Sequence, residues 1–175
     1  DKLLFLPAAI PPHKQDRPLT EAAHRVEMLR LATGGHPAFA VSTDEIDRGG
    51  VSYTVDTLAR LQAAHPADQL LLILGPDALA DLPTWREPAT ILDRAEIVAV
   101  EREGVDDVRA IVAAPQLAAL LGPERARRLV EQRVTCPAIG IRASDLRAAL
   151  RAGSSIRYRT PRAVEQYIVA HGLYL

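Results

Sequence analysis

The sequence predicts an α/β fold, a parallel sheet with helices on both faces. Three observations carry this. The apolar run at residues 70–74 stops at Gly75 and is followed by Pro76 and Asp77. A buried parallel strand hands over to a loop in this way, and ligands collect at such strand ends, where glycine admits a close approach to the backbone. Strand-like runs alternate with helix-like ones through short links. The single tryptophan, Trp85, stands a few residues beyond the glycine turn, which points to a nucleotide-sized, partly aromatic ligand. The plainer reading makes Asp77 a helix cap and Trp85 a core residue.

Taken in order, residues 2–7 read as a strand stopped by proline. Thr20 can cap a helix with Glu21 in its first turn, and Ala22, Val26 and Leu29 then share a face up to Gly34-Gly35. Residues 39–42 read as a second strand. Ser52 or Thr54 opens a helix carrying Val55, Leu58 and Leu61, and residues 70–74 form the third strand. Pro88 suits the first turn of a short helix to Arg94. Residues 97–100 give a fourth strand. Residues 106–133 read as helical, broken near Gly122-Pro123, and residues 138–141 as a fifth strand. Ser144 caps a helix ending at Gly153, and Thr160-Pro161 starts the last one, with Val164, Tyr167 and Ile168 inward.

A chain of 175 residues suits one domain. A net charge of −1 argues against coating a nucleic acid polymer or anionic lipid. One cysteine, Cys136, excludes an internal disulfide and fits a reducing, cytoplasmic setting. No apolar run reaches the ~20 residues of a membrane span. Phosphate loops of the G-x-x-x-x-G-K type, G-x-G-x-x-G and G-x-S-x-G are absent, and the histidines do not pair at metal-ligand spacing.

Other residues suit phosphate. Pro11-Pro12 stiffen a turn after the first strand and present His13 and Lys14. Ser52-Tyr53-Thr54 sits at a helix start, where amides and hydroxyls hold anions. Residues 141–162 hold Arg142, Arg147, Arg151, Arg157, Arg159 and Arg162 against one acid, Asp145. Ser144 and Arg147, one turn apart, would bring a hydroxyl, amides and a guanidinium near one point. A solvated basic face is the plainer alternative.

These motifs resemble the bacterial nicotinate-nucleotide adenylyltransferases. Pro11-Pro12-His13-Lys14 is similar to that family's P-P-H-K loop, and His24-Arg25-Val26-Glu27-Met28 to its H-R-x-x-M helix. Ser52-Tyr53-Thr54 with Thr57-Leu58 resembles S-Y-T-x-x-T-L, Gly75-Pro76-Asp77 resembles G-x-D, and Trp85-Arg86 the W-K/R that follows. Ile156-Arg157-Tyr158, Pro161, Tyr167-Ile168 and His171-Gly172-Leu173-Tyr174 resemble the carboxyl-terminal pattern.

The resemblance implies a Rossmann-like nucleotidyltransferase fold in which the tips of neighbouring strands converge on one cleft. It implies adenylyl transfer from ATP, with transient Mg²⁺, to nicotinate mononucleotide in NAD biosynthesis. By that likeness Trp85 stacks on the pyridine ring, Thr54 holds its carboxylate end, and Asp77 meets a ribose hydroxyl beside backbone exposed by Gly75. His13 and Lys14 approach phosphate, and Ser144 and Arg147 contact the ATP phosphates. Structural roles fall to His24, Arg25, Met28 and Tyr167. Tyr53 suits either role, and homo-oligomerisation stays open.

Two departures stand out. The family's I-S-S-T-x-I-R reads Ile141-Arg142-Ala143-Ser144-Asp145-Leu146-Arg147, which trades two hydroxyls for a guanidinium. The family's first strand and its G-G-x-F-D-P-x-H-x-G-H segment have no counterpart, so no catalytic histidine is assigned and a chain truncated before Asp1 is expected. The alternatives are a non-catalytic nucleotide-binding module, and a related adenylyltransferase acting on nicotinamide mononucleotide or phosphopantetheine.

Overall fold

The computed structural model describes residues 1–15 and 18–175, with the backbone alone at Lys14. Along the chain run β1 (Leu3–Phe5), a 3₁₀ turn (Pro12–Lys14), α1 (Ala22–Thr33), β2 (Phe39–Val41), α2 (Asp44–Arg48), α3 (Thr54–Ala64), β3 (Leu71–Leu74) and α4 (Pro76–Asp81). A 3₁₀ turn (Leu82–Thr84), α5 (Pro88–Arg94), β4 (Glu96–Arg102), α6 (Val108–Val112), α7 (Pro115–Glu131), β5 (Val134–Cys136), α8 (Ala143–Arg151) and α9 (Arg162–Ala170) follow. The chain divides into two compact units, one of residues 1–52 with 140–175, the other of residues 53–139.

In the first unit β1 and β2 pair in parallel, Leu3 opposite Phe39. Its core gathers Leu150, Ile156, Val164 and Ile168, with Met28 and Leu31 of α1 packed against them. The residues expected to be structural are so here. Arg25 donates to the carbonyls of Thr20, Ala8 and Ala9, pinning the loop after β1 to α1. His24 Nδ1 lies 2.8 Å from the Tyr167 hydroxyl, and the Tyr167 and His171 rings stack at 4.0 Å.

The second unit holds a parallel sheet in the order β3-β4-β5. The register is staggered. Glu96–Ala99 of β4 pair with β3, while Val100, Glu101 and Arg102 pair with Val134, Thr135 and Cys136. Leu79, Leu82 and Val108 are completely buried in its core.

The α/β class and the parallel strands follow the expectation, and five details do not. The parallel pairing forms two sheets among the described residues. The third strand is not buried on both faces: Leu71 and Ile73 are 56% and 48% exposed, because β3 pairs with β4 alone and turns one face outward. The fifth strand is Val134–Cys136 rather than residues 138–141. Its β-branched pair sits in register with the end of β4, and the Arg133–Glu101 ion pair at 3.0 Å fixes the approach. Thr20 is not a cap, since Glu21 precedes α1. Nor is Ser144, since α8 begins one residue before it.

Candidate functional site

In the second unit, the carboxyl ends of β3, β4 and β5 share one edge. Leu74 runs into Gly75, whose carbonyl accepts the Leu79 amide and so starts α4. Gly75 has φ −73°, a conformation open to any residue, and a Cβ added there would meet nothing within 4 Å. Neither the backbone nor the packing of this chain requires glycine at this point, and the space over the backbone is open. Asp77 is exposed in the first turn of α4, where a carboxylate is favoured.

Arg102 ends β4 on the same edge. It grips Asp106 through Nε at 2.6 Å and a second nitrogen at 2.8 Å, and the Arg102 amide also donates to that carboxylate. The hydrogen bond and charge of Asp106, with a further contribution from Asp77, raise the Arg102 pKa above its ordinary value. The Arg102 hydrogen bond holds Asp106 below the usual carboxylate range. Glu101 is likewise lowered, first by the Val108 amide and then by Arg133. The sequence reading missed Arg102. The available signal was an arginine closing an apolar strand four residues before an aspartate.

Thr54 and Trp85 approach each other through their neighbours. Thr54 is the first residue of α3, and no side chain caps that end. The Tyr53 carbonyl accepts the Asp56 and Thr57 amides, leaving the amides of Thr54 and Val55 for a ligand. Trp85 and Tyr53 both pack at the margin of the core, and Trp85 remains partly exposed. Arg86 spans the gap, stacked on the Tyr53 ring at 4.7 Å and 3.6 Å from the Asp56 carboxylate. Glu87 then turns the chain with φ 49° and starts α5. Arg86, paired also with Glu87 at 3.7 Å, thus ties the loop that carries Trp85 to the uncapped start of α3.

In the first unit, His13 is exposed in the 3₁₀ turn, and the Lys14 side chain lies outside the described residues. Ser144 is exposed and its hydroxyl donates to Asp145 at 3.0 Å. Arg147 rests 6.0 Å from the Tyr174 ring centroid. No hydrogen bond or ion pair joins His13 to Ser144 or Arg147 among the described residues. The basic stretch is smaller than its arginine count, because Glu165, buried in α9, pairs with Arg157 at 3.7 Å and Arg162 at 2.8 Å.

Among the described residues no cluster of histidine, cysteine, aspartate or glutamate could hold a metal ion, and no helix is long and apolar enough to cross a membrane.

Residues 1–149 match the cytidylyltransferase-like family model. The chain is 42% identical over 174 residues to a probable nicotinate-nucleotide adenylyltransferase of Thermomicrobium roseum, covering 99% of this chain and 77% of that protein. It is 40% identical to one from Symbiobacterium thermophilum, covering 100% and 81%. With one from Roseiflexus sp. the identity is 44%, covering 99% and 83%. The fold is similar to that of the Plasmodium falciparum nicotinic acid mononucleotide adenylyltransferase complexed with NaAD, with TM-score 0.69 and 17% identity over 99% of this chain and 82% of that one.

Proposed function

Because the chain belongs to the cytidylyltransferase-like family, and within it to the bacterial nicotinate-nucleotide adenylyltransferases, we propose that it transfers the adenylyl group of ATP to nicotinate mononucleotide. The 5′-phosphate of the mononucleotide attacks the α-phosphorus of ATP. The bond to the β,γ-pyrophosphate breaks, and nicotinate adenine dinucleotide forms. We read residues 1–175 as one nucleotidyltransferase domain, since the family match runs through both units, and we assign the reaction to NAD biosynthesis in the cytoplasm.

The observation that carries the reading is the corner made by Thr54, Tyr53, Trp85 and Arg86. Trp85 stacks on the pyridine ring. The α3 amino terminus and Thr54 receive its carboxylate, which favours the acid over the neutral amide. Asp77 accepts a hydrogen bond from a ribose hydroxyl, and Gly75 leaves room for the nucleotide against the backbone. His13 and Lys14 approach phosphate. Ser144, released from Asp145, and Arg147 hold the ATP phosphates at the start of α8. Such transfers depend on positioning and charge rather than on covalent help. ATP enters as its Mg²⁺ complex. That ion keeps most of its ligands from phosphates and water, so it needs few protein carboxylates, and exposed Asp77 is compatible with that role.

Pyrophosphate release is measured with ATP and each of nicotinate mononucleotide, nicotinamide mononucleotide and phosphopantetheine. The acid mononucleotide is expected to give the highest kcat/KM. Equal or faster turnover of either other acceptor moves the assignment to that branch. Calorimetric ATP binding without product from any acceptor identifies a non-catalytic module.

A further inference from the structure

The first unit has a cavity of about 320 Å³, lined by Arg157, Tyr158, Thr160, Arg162 and Glu165. None of these residues takes part in the proposed transfer. The cavity is built on the turn that leads into α9. α8 runs about 13 Å from its Ser144 end to Arg151, and in sequence this turn follows the far end. The volume is at the lower end of the range of small-molecule sites.

Glu165 brings two guanidiniums to one point. Its carboxylate is largely buried, and its oxygens hold Arg162 Nη1 at 2.8 Å and Arg157 Nε at 3.7 Å. Both arginine side chains stay more than half exposed, and the other two nitrogens of each have no partner among the described residues. Two guanidiniums against one carboxylate leave the lining with one net positive charge. The Thr160 hydroxyl lines the same cavity and forms no hydrogen bond among the described residues. A carboxylate's two oxygens occupy a single arginine fork. The three terminal oxygens of a phosphate monoester can take two forks and a hydroxyl.

Tyr158 supplies a flat surface beside them. The Ile156 carbonyl accepts the Arg159 amide at 3.1 Å, closing a four-residue turn, and the Arg157 amide donates to the Ser155 hydroxyl. Ile156, buried in the core, anchors the turn. Tyr158 is the third residue of the turn, with φ 64°, where glycine or asparagine is the usual occupant. It is nevertheless 94% exposed. The backbone is strained to hold out a ring that gains nothing by burial, and strain of this kind clusters at binding positions.

We infer that this cavity is a second nucleotide site, taking a nucleoside 5′-monophosphate. The base stacks on Tyr158. Arg157 and Arg162 grip the phosphate, and the Thr160 hydroxyl donates to it. The site does not depend on the adenylyl transfer.

The test is a titration of methyl-labelled protein with inosine 5′-monophosphate, followed by NMR, with inosine and ribose 5-phosphate as its two halves. The expected result is saturating shifts at the Ile156 and Val164 methyls, next in sequence to Arg157 and Glu165. Each half is expected to bind at least roughly fivefold more weakly than the nucleotide. Arg157→Gln and Arg162→Gln are each expected to weaken nucleotide binding about tenfold, the worth of one charge-assisted contact. Tyr158→Gly is expected to weaken it at least roughly fivefold while the urea midpoint holds or rises, because glycine relieves the strained φ. A damaged fold cannot produce that combination. Either half binding as tightly as the whole nucleotide overturns the proposal. So do shifts confined to residues near Trp85, Asp77 or Ser144, no saturation at millimolar nucleotide, or a Tyr158→Gly protein that binds as the parent does or has a lower midpoint.

Discussion

The Arg86 guanidinium lies over the Tyr53 ring, 4.7 Å from its centroid, and so ties the loop after Trp85 to the start of α3. Both ends of its ion pair with Asp56 are well exposed, so the ring contact is the larger part of the tie. A double-mutant cycle of Arg86→Gln and Tyr53→Leu, read by urea unfolding, is expected to give a coupling of about 0.5–1 kcal/mol. A coupling near zero would mean that the stack contributes nothing to holding this corner.

In the proposed reaction Trp85 binds the ring of the acceptor. Trp85→Ala is expected to raise KM for nicotinate mononucleotide roughly 5- to 150-fold, the equivalent of losing a stacking contact of about 1–3 kcal/mol. KM for ATP should change little. Trp85→Phe should recover most of the loss. Equal increases in both KM values would mark the indole as packing alone.

Two glycines separate ligand room from backbone strain. Gly122 breaks α7 with φ 70° and ψ 166°, a region essentially confined to glycine, yet a Cβ there would touch nothing within 4 Å. Gly122→Ala is therefore expected to cost about 1–3 kcal/mol from conformation without any clash. Gly75→Ala, at φ −73° in equally open space, should leave stability unchanged or raised by about 0.5 kcal/mol. It should nevertheless weaken nucleotide binding, seen as a higher KM with an unaltered urea midpoint. A destabilised Gly75→Ala protein would instead show that the glycine serves the fold.

The Arg102–Asp106 pair predicts acid sensitivity. Asp106 is held below the ordinary carboxylate range first by its hydrogen bond from Arg102. The unfolded chain therefore takes up this proton more readily than the native one. The stabilisation is complete above the ordinary aspartate pKa of about 3.9 and is lost as pH falls through the lower folded value. Asp106→Asn should lower the urea midpoint at neutral pH, and the gap to the parent should narrow progressively as pH falls below the ordinary aspartate range. A gap that stays constant with pH would remove the pair from the acid response.

The candidate corner was legible where local chemistry is punctuated by special residues. A run of leucines ending at Gly75-Pro76-Asp77 can do little else than end a strand and start a helix, and Pro88 opens α5 as its fixed φ requires. Other features depend on tertiary partners that no local pattern reveals. Residues 138–141 are as apolar as Val134–Cys136, but the latter have the end of β4 to pair with. The six arginines after residue 141 looked unopposed because Glu165 lies beyond the stretch, on α9. Arg86 was legible as a motif partner of Trp85, while its place over Tyr53 was not, since the two residues are distant in sequence.

Residues 53–139 are contiguous, whereas the core of the other unit joins Met28 and Leu31 to Leu150, Ile156, Val164 and Ile168. A nascent chain that has left the ribosome only through residue 139 can already close the uninterrupted core, while α1 still waits for the helices that cover it. Within residues 1–175 the order of synthesis thus leaves α1 uncovered after the contiguous unit is made, and the His24–Tyr167 contact forms only once α9 has emerged.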